Sequence, residues 1–289
     1  MAQVRHTDVA LAPAPPHGRE GVRGPFGMPI PKQYGAWSVL LAAFVVGAAA
    51  AGGVGAPGLL LLFAAILAFV ARYAAGLYLR QRRVGDAGDA LGWTIGLSLT
   101  SLLLGAFLVG GYHRWLLVPL GAVAAGFAAA SLLVERARKD RTTYGELLAV
   151  CGLSLVVPAA AYAISGEVAG PTLGFWALSA LLFCGSVFHV RYLVRHRTAG
   201  PGRLGVGLTS AGFHLAAVGA AVALAAAGTL PAAGVLALLP AAGRALWAVG
   251  RRRATPIPIR RIGYTEVVHT VIFVGLAIYA ARAVGGVSG

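Results

Sequence analysis

The sequence predicts an all-α fold, a polytopic membrane helix bundle with nine transmembrane helices. Three observations predict it. The chain is 58% hydrophobic and only 11% charged, against about 25% charged residues in soluble domains. Apolar runs of roughly 20 residues, the length a helix needs to cross the hydrocarbon core, follow one another from residue 35 onward. The connections between these runs alternate between strongly basic and nearly uncharged.

Residues 1–30 are rich in Pro, Gly and Arg and hold no apolar core of signal-peptide length. They read as a disordered cytoplasmic tail, and residues 31–289 as the transmembrane domain. The proline-rich piece Pro13-Ala14-Pro15-Pro16 reads as part of that tail. The expected spans are 35–53, 57–79, 91–111, 115–134, 144–165, 172–194, 205–228, 231–250 and 262–284. Only Gly111-Tyr112-His113-Arg114 divides the third from the fourth, and Gly228-Thr229-Leu230-Pro231 the seventh from the eighth. Short connections of this kind join antiparallel neighbours. The 41 glycines suit helices that pack closely in lipid.

Charge sets the orientation. The basic connections include Arg80-Gln81-Arg82-Arg83, Arg136 to Arg141, Arg195-His196-Arg197 and Arg251-Arg252-Arg253. Of the 24 Lys and Arg residues, all but Arg114 and Arg282 fall on or near one side. The positive-inside bias then puts the N-terminus in the cytoplasm and the C-terminus outside, as an odd number of spans requires. The same placement explains the net charge of +15 without nucleic acid. Cys151 and Cys184 sit in apolar runs and read as packing residues, with no metal-type spacing.

Arg72-Tyr73 at the end of the second span and Arg191-Tyr192 at the end of the sixth are 119 residues apart. Tyr144 and Tyr264, at the starts of the fifth and ninth spans, are 120 apart. The matching offsets predict a four-plus-four internal repeat with parallel copies, the ninth helix repeating a unit's start. Chance recurrence of interfacial anchors is the competing reading.

Ionisable residues inside spans are costly and mark functional sites by default. At 1.5 Å per residue, Glu146, His189, Arg191 and Glu266 fall within about 8 Å of the cytoplasmic ends, His269 at about 10 Å and His214 at about 14 Å. One cytoplasm-facing cavity is therefore expected. Glu146, Glu266 and His269 are its candidate acid–base residues. Glu266 and His269, three apart, share a helix face, and a carboxylate there would fix the imidazole tautomer. A structural polar pair explains them equally well. Lys32, Tyr34, Arg72, Tyr144, His189, Arg191, His214 and Tyr264 are candidate substrate-binding residues. Arg72 and Arg191 either grip an anion in bidentate fashion or anchor their helices. Arg80, Arg195 and Arg244 read as snorkelling side chains. Pro31 suits a first helical turn, Gly35 a close approach, and Trp37 the interfacial belt.

Pro31-Lys32-Gln33-Tyr34-Gly35-Ala36-Trp37 resembles the entry signature of the YwiC-like family of bacterial membrane proteins, Pro-Lys-x-His-Gly-Ala-Trp. Tyr34 stands where that signature has histidine, which removes a metal ligand or proton acceptor there. The resemblance extends over the arginine-rich end of the second span and implies a multi-pass protein of a bacterial-type inner (plasma) membrane. Nine spans with a four-plus-four repeat are also similar to the UbiA-type intramembrane prenyltransferases. Those enzymes hold Mg-diphosphate on aspartate-rich motifs at the ends of spans two and six. Here the first segment offers Asp86 and Asp89, and the second no acidic residue at all. The similarity implies the architecture and argues against Mg-dependent transfer.

These readings lead to an integral membrane protein with a basic, cytoplasm-facing cavity for an anionic amphiphile of isoprenyl or lipid phosphate type. Its expected partners are the lipid bilayer and an anionic lipid or isoprenoid ligand. A small-anion or proton-coupled transporter is the alternative. Further readings are a haem protein using two of His189, His214 and His269, and a structural membrane protein.

Overall fold

The computed structural model describes residues 22–23, 27–31, 34–82, 88–137, 142–199, 204–250 and 258–285. Within them run ten α-helices: α1 (Tyr34–Ala50), α2 (Ala56–Gln81), α3 (Gly88–Gly111), α4 (Leu117–Arg136), α5 (Thr143–Ser154), α6 (Val156–Ser165), α7 (Gly170–Ala199), α8 (Leu204–Ala226), α9 (Leu239–Gly250) and α10 (Ile259–Gly285). A 3-10 segment, Ala232–Leu238, leads into α9. Counting α5–α6 as one rod, and the 3-10 segment with α9 as another, eight helices are long and apolar enough to cross a membrane. The first apolar helix, Gly35–Ala50, is shorter.

The expected runs coincide with these rods, with two local departures. The fifth run bends at Leu155, between α5 and α6. Pro158 explains the break, because its nitrogen has no hydrogen to give the Ser154 carbonyl four residues back, and its ring crowds that carbonyl. The eighth run begins as the 3-10 segment. Pro240 likewise offers no N–H to Leu236, whose carbonyl instead accepts from the Leu239 amide.

Short α1 is the hub. It carries no charged residue and packs against α5, α6, α7 and α10. Val39, Ala42, Ala43 and Val46 on α1 join Phe175, Leu178 and Leu182 of α7, and Phe273 and Ala277 of α10, in the main core. Gly47 lets α1 close on α6, since a Cβ there would strike the Val157 carbonyl. At the other extreme, α4 buries only Ser131, and α3 packs chiefly on α2. Apolar side chains such as Leu102, Leu103 and Phe107 of α3 face outward, as suits helices bordered by lipid.

At the chain's entry, Val22–Arg23 pairs antiparallel with Pro29–Ile30. The stretch expected as a disordered tail thus ends in a short pairing, and Met28 packs with Trp37 and Phe69. The Trp37 indole donates to the Pro31 carbonyl at 3.2 Å and meets Phe69 edge-on at 5.0 Å. Gly35 makes no close approach, because a Cβ there would meet nothing within 4 Å.

Away from the basic connections, Arg114 closes α6. Its guanidinium donates to the carbonyls of Ala163 at 2.9 Å and Ile164 at 3.3 Å. A cation at a helix C-terminus satisfies orphan carbonyls and complements the dipole. Gly166 follows with φ of 84°, the left-handed conformation that ends a helix without steric cost in glycine.

Candidate functional site

Helix α7 positions two polar stripes, because residues three or four apart share a face. Phe188, Arg191 and Arg195 form one stripe, and Ser186 and His189 the other. The first borders a cavity of about 320 Å³, completed by Thr143 of α5 and by Gly205, Val206 and Thr209 of α8. Thr143 is the first residue of α5, and Gly205 and Val206 lie in the first turn of α8. Two helix N-termini, each carrying unpaired backbone N–H groups and the positive end of a helix dipole, therefore border the same space. Thr142 caps α5 by accepting the Gly145 amide at 3.2 Å. At the cavity's edge the Arg191 Nε donates to Glu146 at 2.7 Å. Two guanidinium groups, two hydroxyls and an apolar wall of Phe188 and Val206 make a site suited to an anionic head with a greasy tail.

The second stripe faces a different cluster, shared by α7, α8, α9 and α10. Arg244 of α9 donates to both oxygens of Glu266, at 2.6 and 3.3 Å. The Ser186 hydroxyl donates to the same carboxylate at 2.7 Å. Both charged side chains are largely buried, at 13% and 19% exposure. Arg244 is thus no snorkelling cation, since the carboxylate on α10 holds its head inside the bundle. His269 Nδ1 lies 2.7 Å from the Thr265 carbonyl, and His214 Nδ1 lies 2.8 Å from that of Ser210. A carbonyl only accepts, so each Nδ1 carries a hydrogen. The rings of His189 and His214, both buried, stand edge-on 6.2 Å apart. Gly185 lets α8 press this close, since a Cβ there would come within 2.9 Å of His214 Nε2. That contact leaves no room for a porphyrin on His214 Nε2, against the haem reading. Among the described residues no three His, Cys, Asp or Glu side chains are grouped to hold a metal ion.

A third polar group joins α2 to α4. Glu135 accepts from Arg72 at 3.5 Å and pairs with Arg80 at 3.1 Å. Gly76 makes the space, because a Cβ there would lie 2.8 Å from both carboxylate oxygens.

The expected single cavity is thus resolved into three separate polar groups. Glu146 and Arg191 come together beside the α5–α7–α8 cavity. Glu266 and His269 stand with Arg244, His189 and His214 in the second cluster, and Arg72 is paired with Glu135. Tyr144 and Tyr264 turn outward, at 65% and 59% exposure. Each sits two residues before its glutamate, about 200° round the helix, so the two cannot share a face. The Tyr264 hydroxyl instead accepts from Arg260 at 3.2 Å. Lys32 and the Tyr34 side chain lie outside the described residues. Sequence reasoning missed Glu135, Ser186, Thr143 and Thr209. For Glu135 a signal was present, an acidic residue at a span end amid arginines, which calls for pairing. The Cys151 and Cys184 sulfurs, 3.9 Å apart, are free thiols joining α5 to α7 below the Glu146–Arg191 pair.

Long apolar rods, internally satisfied backbones and buried ion pairs together define a polytopic, multi-pass helical membrane protein embedded in a lipid bilayer. Residues 30–161 of it are YwiC-like: they match the family described as YwiC-like protein, from the second strand through most of α6. No curated protein and no solved structure matches the chain. The matched stretch contains Glu146 and Thr143 but ends before α7, so the two arginines of the cavity lie beyond it.

Proposed function

We propose that the protein is a nine-helix membrane protein that binds or processes an anionic amphiphile in the α5–α7–α8 cavity, the ligand being of isoprenyl or lipid phosphate type. In this reading all nine rods cross the bilayer, the N-terminus is cytoplasmic and the C-terminus is outside. The cavity then opens toward the cytoplasmic leaflet. The observation that carries the proposal is the convergence of Arg191, Arg195, Thr143 and Thr209 with two helix N-termini on one space of about 320 Å³ that also has an apolar wall. Charge-assisted, bidentate bonds from arginine are the strongest way to hold a phosphate without a metal. Arg191 and Arg195, which line this space, carry the anion in this reading. The four-plus-four plan rests on the 119-residue offset of Arg72 and Arg191 and the 120-residue offset of Tyr144 and Tyr264.

Lipid analysis of the purified protein tests the proposal. An acidic lipid should co-purify, and Arg191→Gln should strip it while the protein stays folded. Purification without any acidic lipid, from wild type and variant alike, would count against it.

The buried cluster of Arg244, Glu266, His189, His214 and His269 favours a second reading, a proton-coupled transporter, because intramembrane ionisable groups serve as proton relays. Proteoliposome uptake separates the two: a transporter moves its anion across a sealed bilayer, and a binding or processing site does not.

A further inference from the structure

An anion already stands beside the cavity, on Arg191. Glu146 holds Arg191 at 2.7 Å, yet its side chain is 41% exposed while that of Arg191 is only 17% exposed. The carboxylate therefore can swing off into water, whereas the guanidinium stays fixed at the cavity wall. An incoming head group competes with this carboxylate for Arg191, and an anion that fails to displace it meets its repulsion.

We propose that Glu146 is a built-in competitor that makes the cavity selective for lipids ending in a phosphate monoester over phosphodiester lipids. The inference rests on the anionic-amphiphile reading of the same cavity. A carboxylate is a monoanion with two acceptor oxygens. A terminal phosphate monoester near neutral pH carries a charge of about −1.5 to −2 and three strong acceptor oxygens. It can replace the bond that Glu146 offers Arg191 and still present oxygens to Arg195, Thr143, Thr209 or a backbone N–H at the helix ends. A phosphodiester has one charge and two free oxygens, the same as the carboxylate it would displace, and gains nothing by the exchange. The source of the phosphate is a lipid rather than a free ion. Phe188 and Val206 line the cavity, and α7 and α8, which carry them, are each long and apolar enough to cross a membrane, so a hydrocarbon tail leaving the cavity along them enters lipid.

The test uses the full chain in phosphatidylcholine nanodiscs containing equal amounts of phosphatidic acid and phosphatidylglycerol, with retained lipids counted by native mass spectrometry. Wild type should retain the monoester over the diester by about tenfold, the scale of one lost charge-assisted interaction. Glu146→Gln, which keeps shape but removes the competing charge, should admit phosphatidylglycerol and cut the preference to about twofold. Arg191→Gln should lose both lipids, and Arg195→Gln gives the same reading should the first variant not fold. An unchanged preference in Glu146→Gln, with binding lost in the arginine variants, overturns the competitor role and leaves the cavity reading standing. No preference in wild type, with arginine variants indistinguishable from it, overturns both. Glycerol 3-phosphate, the same head without tails, should displace little phosphatidic acid. Equal displacement would overturn the lipid-borne source.

Discussion

Arg72 on α2 and Arg191 on α7 stand alike, each followed by tyrosine and each bonded to a glutamate from another helix. The partners differ. Glu135 is 13% exposed, shared by Arg72 and Arg80, and seated against Gly76. Glu146 is 41% exposed and is bonded to Arg191, which lines a cavity. The same residue types thus build a closed clasp between α2 and α4 and an openable pair between α5 and α7. What separates the two is how far water reaches the carboxylate, since that sets the cost of breaking each pair. A buried pair robbed of one partner leaves an uncompensated charge inside. An exposed carboxylate is rehydrated, and such pairs contribute little.

The comparison can be broken by mutation. Arg244→Ala should cost most, about 3 kcal/mol, because the Glu266 carboxylate would stay buried on α10 with only Ser186 for company. Denaturant unfolding in detergent, followed by circular dichroism, reads the loss. Glu135→Ala should follow at about 2 kcal/mol, less because Arg80 reaches water. Gly76→Val should cost about 1 kcal/mol by pushing the carboxylate off the face of α2. Arg191→Gln should cost under about 0.5 kcal/mol, because the carboxylate it leaves is exposed. Should Arg191→Gln prove as costly as Glu135→Ala, the distinction between clasp and openable pair is wrong.

Much of the fold was legible because lipid imposes a simple demand. A backbone in hydrocarbon must satisfy its own hydrogen bonds along about 20 apolar residues, and that length is visible in one dimension. The bends were half legible. Pro158 and Pro240 stand in the sequence, but continuous apolar runs concealed that they interrupt their rods. The site was legible in depth and not in direction. Glu146, Arg191, Glu266 and His269 were found from their distance to a span end, a quantity that rise per residue supplies. Which helix each side chain faces depends on the rotation and packing of nine rods, and no run of apolar residues encodes it. Arg244 shows the consequence. One turn inside its span it resembled a snorkelling cation, until packing set Glu266 of α10 against it. Tyr144 and Tyr264 show the reverse: their two-residue spacing from Glu146 and Glu266 already placed them on the opposite face.

The central claim is that the α5–α7–α8 cavity, and not the α2–α4 clasp, holds the anion. Arg191→Gln and Arg72→Gln, compared side by side for phosphatidic acid retained in nanodiscs, test it most directly. The account predicts that Arg191→Gln loses the lipid while Arg72→Gln keeps it at the wild-type level. Loss in Arg72→Gln with full retention in Arg191→Gln would contradict it.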